Sequence, residues 1–304
     1  MRILRLATRE SALALWQTRH VAKLLSKSHP GLIVELVPMT TRGDQILDVS
    51  LSKIGGKGLF LKELEVAMQE GRADAAVHSL KDMPMQLEPE FTLAAVLKRD
   101  NPFDAFISER YREVTELPAG AVVGTSSQRR QVQLQQVRPD LKIKDLRGNI
   151  NTRLAKCQSG EFDAIILACA GLERLGLGDR IRSQLAPPHW WPAVAQGAIA
   201  IETRSSEPEI TAMFASLNDH STELRVRAER AMNKALHGSC QVPVAAYAEL
   251  HGDIMTLTGW VGDAVNTCSV SATAQGFAKE PEALGQIVAD MLFAQGAAAF
   301  LQLQ

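Results

Sequence analysis

Two opposite charges stand side by side where an apolar run stops, in Val77-His78-Ser79-Leu80-Lys81-Asp82-Met83-Pro84. The run Asp74-Ala75-Ala76-Val77 is typical of a short buried strand, and Pro84 disfavours continuation as a helix. Lys81 and Asp82 are therefore expected at the carboxyl edge of a strand, where open α/β sheets bind ligands. A fixed carboxylate there could move a proton or stabilise positive charge. An isolated Lys-Asp pair more often lies in a solvated loop, so this interpretation depends on the rest of the chain.

Arginines recur after predicted strand ends or at helix starts, often beside hydroxyl side chains. The arginines are Arg9, Arg42, Arg129, Arg130, Arg147, Arg153 and Arg174, and the hydroxyl residues are Ser11, Thr125, Ser126 and Ser127. Guanidinium groups bind carboxylates bidentately, and helix N-termini add oriented N–H donors. The set predicts a cleft for a ligand with several negative charges. Each arginine alone could equally be an ordinary surface residue, but the set recurs at equivalent points of a repeat.

Phosphate is the alternative ligand for such a site. The glycine-rich stretch Gly55-Gly56-Lys57-Gly58 does not have the Walker spacing, and no Gly-x-Gly-x-x-Gly follows a predicted strand. Carboxylates are therefore the preferred ligand.

Cys240 is the one cysteine placed for chemistry. It lies in Gly238-Ser239-Cys240-Gln241-Val242-Pro243, a sequence typical of a turn that follows a helix end. With His237 it could form a nucleophile or a metal-ligand pair, but an inert turn cysteine is as consistent with the residues alone. Cys169, in an apolar run, is predicted to be a core residue. The four cysteines include no Cys-x-x-Cys pair, so no metal or dithiol site is predicted.

The elements that must position these residues form an internal repeat. A strand from Ile3 to Ala7 and a helix that starts after Ser11 are echoed by Val122 to Gly124 and a helix from Gln128 to Val137. Two further landmarks recur in order: Arg42-Gly43-Asp44 with Arg147-Gly148-Asn149, and Gly71-Arg72-Ala73-Asp74-Ala75 with Gly160-Glu161-Phe162-Asp163-Ala164. The pattern predicts two similar α/β domains, like the lobes of periplasmic binding proteins, around a cleft.

The first copy of the repeat carries an insertion. From Arg42 to Gly71 is 29 positions, but from Arg147 to Gly160 only 13, so the first copy has 16 extra residues. They include Lys53, Gly55, Gly56, Lys57 and Gly58. A glycine-rich insertion at a cleft is a candidate lid, although a surface loop without function fits the pattern as well.

Three domains are predicted. Domain 1 comprises residues 1–98 and 197–217, because Gln196 to Glu202 is a predicted strand that returns to the first sheet. Domain 2 comprises residues 99–196. Domain 3, residues 218–304, is a small α+β domain with strands near Val244 to Glu249 and Met255 to Val261 and a helix from about Pro281 to Phe300, and it carries Cys240.

Composition excludes several classes of protein. The 304 residues include 33 Lys and Arg against 34 Asp and Glu, which argues against a general nucleic-acid binder. Arginines interrupt the N-terminal apolar residues, so no signal peptide is predicted, and no apolar run approaches the length of a membrane span. The expected location is the cytoplasm.

Together these motifs resemble the porphobilinogen deaminase family, also called hydroxymethylbilane synthases, over essentially the whole chain. The matching stretches are Leu6 to Gln17, Thr41-Arg42-Gly43-Asp44, Gly55-Gly56-Lys57-Gly58-Leu59-Phe60, Ala76 to Pro84, Val123 to Arg130, Leu146-Arg147-Gly148-Asn149 and Gly238 to Pro243. The resemblance implies a monomeric transferase that joins four porphobilinogen units head to tail, releases ammonia each time, and frees a linear tetrapyrrole by hydrolysis.

The resemblance also implies roles for individual residues. Asp82 corresponds to the catalytic carboxylate, and Cys240 to the cysteine that holds a dipyrromethane cofactor through a thioether. The positions implied for the cofactor are Lys81, Asp82, Thr125, Ser126, Ser127, Arg129, Arg130, Arg147 and Gly148. Those implied for the substrate are Arg9, Ser11, Arg153 and Arg174. No metal is implied. The family usually has glycine where this chain has Ala195, and Gln128 and Trp190-Trp191 are also unusual, so local geometry there is open.

Two other functions remain as alternatives. A cytoplasmic polycarboxylate or oxyanion binding protein would also have two α/β lobes around an anion cleft, but it gives no role to the third domain or to Cys240. A DNA-binding regulator with a ligand domain is less well supported, because neither a helix-turn-helix nor a basic excess is visible.

Overall fold

The computed structural model describes residues 3–41, 43, 61–238 and 242–301. These residues belong to two compact units. The first contains residues 3–100 and 197–223, and the second contains residues 101–196 and 224–301, with the gaps given above.

The first unit is built on a five-stranded mixed sheet in the order β2-β1-β3-β10-β4. Its elements are β1 (Ile3–Arg9), α1 (Ala12–Ser28), β2 (Ile33–Met39), α2 (Lys62–Gln69), β3 (Ala75–Ser79), β4 (Phe91–Val96), β10 (Ile199–Arg204) and α6 (Pro208–Met213). Strands β2, β1 and β3 are parallel, and β10 is antiparallel to both β3 and β4. The predicted return of the strand after Gln196 to this sheet is therefore confirmed.

A second five-stranded sheet has the same plan, in the order β7-β6-β8-β5-β9. Its elements are β5 (Asp104–Ile107), β6 (Val122–Gly124), α3 (Gln128–Val137), β7 (Lys142–Lys144), α4 (Ile150–Gln158), β8 (Ala164–Ala168), α5 (Cys169–Arg174) and β9 (Ser183–Leu185). Strands β7, β6 and β8 are parallel, and β5 is antiparallel to β8 and β9. In each sheet three parallel strands are followed by one antiparallel strand and an edge strand, so the predicted repeat of topology is confirmed.

The repeat extends to individual hydrogen bonds. The Asp74 carboxylate accepts from the Arg5 N–H at 2.7 Å, and the Asp163 carboxylate accepts from the Val122 N–H at 2.8 Å. Each aspartate returns its own N–H to the same partner residue, at 2.8 and 2.9 Å. Both carboxylates thus cap the amino end of a central strand, as expected from their matched positions in sequence.

The remaining described residues form a three-stranded antiparallel sheet covered by helices. The elements are α7 (His220–Ala235), β11 (Val244–His251), β12 (Ile254–Gly262), β13 (Ser269–Phe277), α8 (Pro281–Ala294) and α9 (Ala297–Phe300). Gly285 lets α8 approach α7 closely, because a Cβ there would meet the Ala228 carbonyl at 2.6 Å. Leu284, Val288 and Leu292 of α8 are buried.

Some elements differ from the prediction. The helix expected from Pro281 to Phe300 is broken after Ala294, because Gly296 adopts a left-handed φ of 95°. Strands β4, β5, β9 and β13 were not predicted. Of these, β5 is only four residues long and β9 only three, too short for a recognisable pattern. No helix among the described residues is long and apolar enough to cross a membrane.

Candidate functional site

Asp82 lies in a single turn of 3-10 helix, Leu80–Asp82, directly after β3. Leu80 and Met83 are buried, Lys81 is half-buried and Asp82 is exposed. The Leu80 N–H donates to the Ala198 carbonyl at 3.0 Å, and the Met83 N–H donates to the Leu80 carbonyl at 3.2 Å. The two apolar side chains and these bonds hold the backbone, so the Asp82 carboxylate is presented at the carboxyl end of β3.

Arg9 and Ser11 lie at the same edge of the first sheet. Arg9 is the last residue of β1, which runs parallel to β3 and pairs with it. Ser11 caps α1, because its Oγ accepts from the Ala14 N–H at 3.3 Å. The carboxyl ends of β1 and β3 therefore bring Arg9, Ser11, Lys81 and Asp82 to one edge, as predicted.

A cluster of hydroxyl groups follows β6 in the second sheet. Thr125 is buried, and its Oγ1 accepts from the Ser127 N–H at 3.3 Å. The Ser126 Oγ bonds both the N–H and the carbonyl of Leu146, each at 3.0 Å. Ser127 occupies the N-cap of α3, and among the described residues its side chain makes no capping bond. The α3 N-terminus thus combines helix N–H donors with a hydroxyl that the helix itself does not use.

The loop after β7 brings further donors to this edge. Gly148 has a φ of 108°, and a Cβ there would meet the Thr152 side chain at 2.9 Å. The Gly148 carbonyl accepts from Arg153 Nε at 2.8 Å, which orients that guanidinium. Burial lowers the pKa of the neighbouring Arg147 from its usual value, although it remains a cation, and Asp145 counteracts the shift.

Arg129 and Arg130 are buried, and the structure places both against Asp104. Arg129 Nη1 lies 2.8 Å from Asp104 Oδ2 and donates to the Trp191 carbonyl at 2.6 Å. Arg130 Nη2 donates to Asp104 Oδ1 at 2.6 Å, and Nη1 donates to the Ile166 carbonyl at 2.9 Å. Asp104 was not singled out from the sequence. The only local signal was an acid directly before the apolar run Ala105-Phe106-Ile107. The charge balance of the whole chain gives no indication that this acid is buried.

The prediction that Cys169 is a core residue is confirmed. Cys169 is fully buried at the start of α5, and burial raises the pKa of its thiol to about 12. Burial also raises the pKa of Cys157 to about 11. Both thiols are therefore core groups and poor nucleophiles. Arg174, the last residue of α5, is also buried. Arg42, Cys240 and the predicted lid residues Lys53, Gly55, Gly56, Lys57 and Gly58 lie outside the described residues.

Two family models match the chain. Residues 4–212 match the porphobilinogen deaminase dipyromethane cofactor binding domain, and residues 223–294 match the porphobilinogen deaminase C-terminal domain. The chain belongs to the porphobilinogen deaminase family. It is 59% identical over 301 residues to the porphobilinogen deaminase of Stenotrophomonas maltophilia strain K279a, and 57% identical to that of Xanthomonas axonopodis pv. citri, covering 99% of both chains each time.

Among solved structures, the methionine binding protein MetQ is similar at 14% identity, with a TM-score of 0.47. The match covers 71% of this chain and 89% of MetQ.

The donors at the edge of the second sheet fit the cofactor after which the deaminase family model is named. A dipyrromethane assembled from two porphobilinogen units carries carboxylate side chains. Hydroxyl groups, helix N–H donors and guanidinium groups are the protein groups that bind carboxylates. At this edge they come from Thr125 to Ser127, from the first turn of α3, and from Arg147 and Arg153.

Proposed function

We propose that this chain is a hydroxymethylbilane synthase. It joins four porphobilinogen molecules head to tail, releases ammonia at each step, and frees the linear tetrapyrrole hydroxymethylbilane by hydrolysis, in tetrapyrrole biosynthesis. The match to porphobilinogen deaminases over nearly the whole chain carries this proposal. The position of Asp82, fixed at a sheet edge and exposed, supports it.

Asp82 is the proposed catalytic carboxylate. When the protonated amino group of the porphobilinogen aminomethyl side chain leaves as ammonia, the C–N bond breaks with its electron pair on nitrogen, and a positive charge is left delocalised over the methylene carbon and the pyrrole ring. A fixed carboxylate stabilises that charge electrostatically, and it can accept the proton that the new C–C bond displaces from a pyrrole carbon.

The arginine and hydroxyl residues are proposed to bind carboxylates. Each porphobilinogen carries an acetate and a propionate, so a growing chain needs many cationic and N–H donors. Arg9, Ser11, Arg153 and Arg174 are assigned to the substrate. Their side chains would fix the reacting carbons relative to one another, which lowers the entropy cost of the condensation.

A second set of residues is proposed to hold the dipyrromethane cofactor: Thr125, Ser126, Ser127, Arg129, Arg130, Arg147 and Gly148, with Lys81 and Asp82. Its attachment point is proposed to be the thiol of Cys240, through a thioether. When bound, the cofactor supplies the free pyrrole position to which the first substrate unit is joined. No metal is required by this chemistry.

We propose the domain boundaries given above, with residues 218–304 as a separate α+β domain, and Lys53 to Gly58 as a lid. The distinct sheet of β11, β12 and β13 supports the third domain. We also propose that the protein is a cytoplasmic monomer whose partner is the small molecule porphobilinogen, with no nucleic-acid or membrane partner. Light scattering on the purified chain tests the oligomeric state.

The experiment that tests the function is incubation of the purified chain with porphobilinogen, with ammonia and tetrapyrrole measured in the same sample. We expect four molecules of ammonia for each hydroxymethylbilane, which is detected as porphyrin after cyclisation and oxidation. A chain that binds porphobilinogen but releases no ammonia would instead be the polycarboxylate binding protein considered as the alternative.

A further inference from the structure

Asp104 lies at the ligand-binding edge of the second sheet although it belongs to an antiparallel strand. It is the first residue of β5 and pairs with Ala168, the last residue of β8. The start of β5 therefore lies beside the carboxyl ends of the parallel strands. The side chain of Asp104 is fully buried.

Four donors satisfy the two oxygens of this carboxylate. Oδ1 accepts from Arg130 Nη2 at 2.6 Å and from Gln196 Nε2 at 2.9 Å. Oδ2 accepts from Trp190 Nε1 at 2.7 Å and lies 2.8 Å from Arg129 Nη1. A buried carboxylate with this many donors has no capacity left for a ligand, so its role must be exerted through its partners.

The four partners belong to two segments, helix α3 and the link between β9 and β10. Arg129 and Arg130 are the second and third residues of α3, next to the hydroxyls of Thr125 to Ser127. Trp190 and Gln196 belong to the segment that links β9 to β10, and Gln133 of α3 also bonds the backbone of this segment, at the N–H and carbonyl of Trp191. Asp104 is thus the common acceptor that holds the first turn of α3 against the linking segment and the end of β8.

The fold itself does not require an acid at this position. In the first sheet, β10 occupies the place that β5 has in the second sheet, and the residue opposite the last residue of β3 is Ile199. Both sheets instead share the capping carboxylates Asp74 and Asp163 at the opposite end of their central strands. Asp104 is therefore specific to the sheet that carries the hydroxyl cluster and the buried arginine pair.

We propose that Asp104 is a positioning residue for the reaction: through Arg129 and Arg130 it fixes the first turn of α3, which is proposed to hold the cofactor carboxylates. This inference rests on the proposed function. Burial alone would raise the pKa of Asp104, but the adjacent guanidiniums lower it well below its usual range. The carboxylate consequently stays ionised at every pH at which the enzyme would be assayed, and the arginine pair stays anchored.

The test compares Asp104→Asn with Asp163→Asn. Asp163 is the matched control because it is an aspartate of the same unit that pairs with an arginine, Arg110, at the other end of the sheet. For each variant, thermal unfolding, the fraction of chains carrying the two-pyrrole mass adduct, and KM and kcat for porphobilinogen are measured.

We expect both variants to lose thermal stability. Only Asp104→Asn should lower the loaded fraction and raise KM, by about tenfold or more, because residues that orient ligand-binding groups typically have effects of this size. The kcat of its loaded fraction should change less than KM, because an interaction made equally in ground and transition states affects KM. Asp104→Glu, which keeps the charge, should recover part of the loading.

Loading and KM of Asp104→Asn within about twofold of wild type, with stability reduced as in Asp163→Asn, would overturn the proposal. If Asp104→Asn does not fold, Trp190→Phe removes one donor from Oδ2 and keeps both ion pairs. We expect a severalfold rise in KM for this variant, and an unchanged KM would count against the proposal. The proposed function is checked first on the wild-type chain: absence of an adduct and of porphobilinogen consumption there is a failure of the function, not of the inference.

Discussion

At the scale of single residues, Asp82 depends on its neighbours for its position. Leu80 and Met83 are anchored in the core on either side, so the backbone that carries Asp82 cannot move away without exposing an apolar side chain. Burying such a side chain contributes about 1.5–3 kcal/mol. In Leu80-Lys81-Asp82-Met83 the two charged residues are flanked by two apolar ones. Burial of the apolar pair therefore fixes the turn and, with it, the position of the charged residues.

We predict that Asp82→Asn lowers kcat by about a hundredfold or more, because a neutral amide cannot stabilise the cation left by ammonia. The substitution keeps the shape of the side chain, so thermal stability should be nearly unchanged. Steady-state ammonia release checks the prediction. Asp74→Asn is the matched control, since Asp74 precedes the same strand and only caps it. Its kcat should equal that of wild type, and a loss as large as that of Asp82→Asn would contradict the assignment.

Residue types and spacing were sufficient to find Asp82, Lys81, Arg9 and Ser11 at one sheet edge, because each follows a strand recognisable from its apolar run. They were not sufficient for Asp104. Its strand is four residues long, and its four partners come from two other segments that are distant from it in sequence. Such a cluster exists only after the chain has folded, so no local pattern reports it.

At the scale of elements, the segment before β10 contains an unfavourable backbone conformation. Ala195 has a φ of 58°, in the left-handed region that favours glycine. Its N–H donates to the buried Glu229 carboxylate at 2.7 Å, and Glu229 also accepts from the Ala248 N–H at 3.0 Å. The local geometry at Ala195, which the sequence left open, is thus one that favours glycine, and the Glu229 carboxylate helps to hold it.

We predict that Ala195→Gly stabilises the protein by about 0.5–1 kcal/mol, because the left-handed conformation costs alanine more than glycine loses in chain entropy. Chemical denaturation measures the change. Ala193→Gly is the control, because Ala193 is not among the residues with a positive φ. This substitution should instead lower the free energy of unfolding by a similar amount. Equal effects of the two substitutions would show that the φ of Ala195 carries no strain.

Helix α2 contains an acid whose ionised form is disfavoured by folding. Burial and the nearby Glu202 raise the pKa of Glu65, and His78 opposes the shift. A carboxyl group with a raised folded pKa binds protons more tightly in the folded state. Stability therefore falls as the pH rises through the folded pKa, and the full cost is present above it.

We predict that Glu65→Gln increases the free energy of unfolding at pH 7 and that the gain shrinks towards zero below the ordinary pKa of glutamate, about 4.3. Denaturation at pH 7 and at pH 4 measures both values. Glu70→Gln is the control at the C-terminal end of the same helix, with an exposed carboxylate paired to Arg72. Its effect should be small at both pH values. A gain for Glu65→Gln that is larger at pH 4 would reverse the sign and refute the prediction.

The start of α1 after Ser11 and both ends of α3, Gln128 and Val137, were predicted correctly. The helix from Pro281 was overextended, because Gly296 lies within an otherwise apolar stretch and only its left-handed φ ends the helix there. The short edge strands β9 and β4 were missed, since pairing with a neighbour rather than their own composition makes them strands.

At the scale of the whole molecule, two copies of one sheet plan carry different chemistry. The first sheet presents an exposed carboxylate after β3, and the second presents hydroxyl, N–H and guanidinium donors after β6 and β7. The sequence repeat predicted the shared plan because the landmarks recur in order. The proposed division of tasks rests on the residues that differ between the copies, above all the Asp82 turn and the Asp104 cluster.

The attachment of the cofactor to Cys240 can be measured from the intact mass of the purified chain, followed by mapping of the peptide that contains Cys240. We predict a covalent two-pyrrole adduct on that peptide, absent from a Cys240→Ser variant prepared in the same way. A chain that turns over porphobilinogen while Cys240 remains unmodified would contradict it.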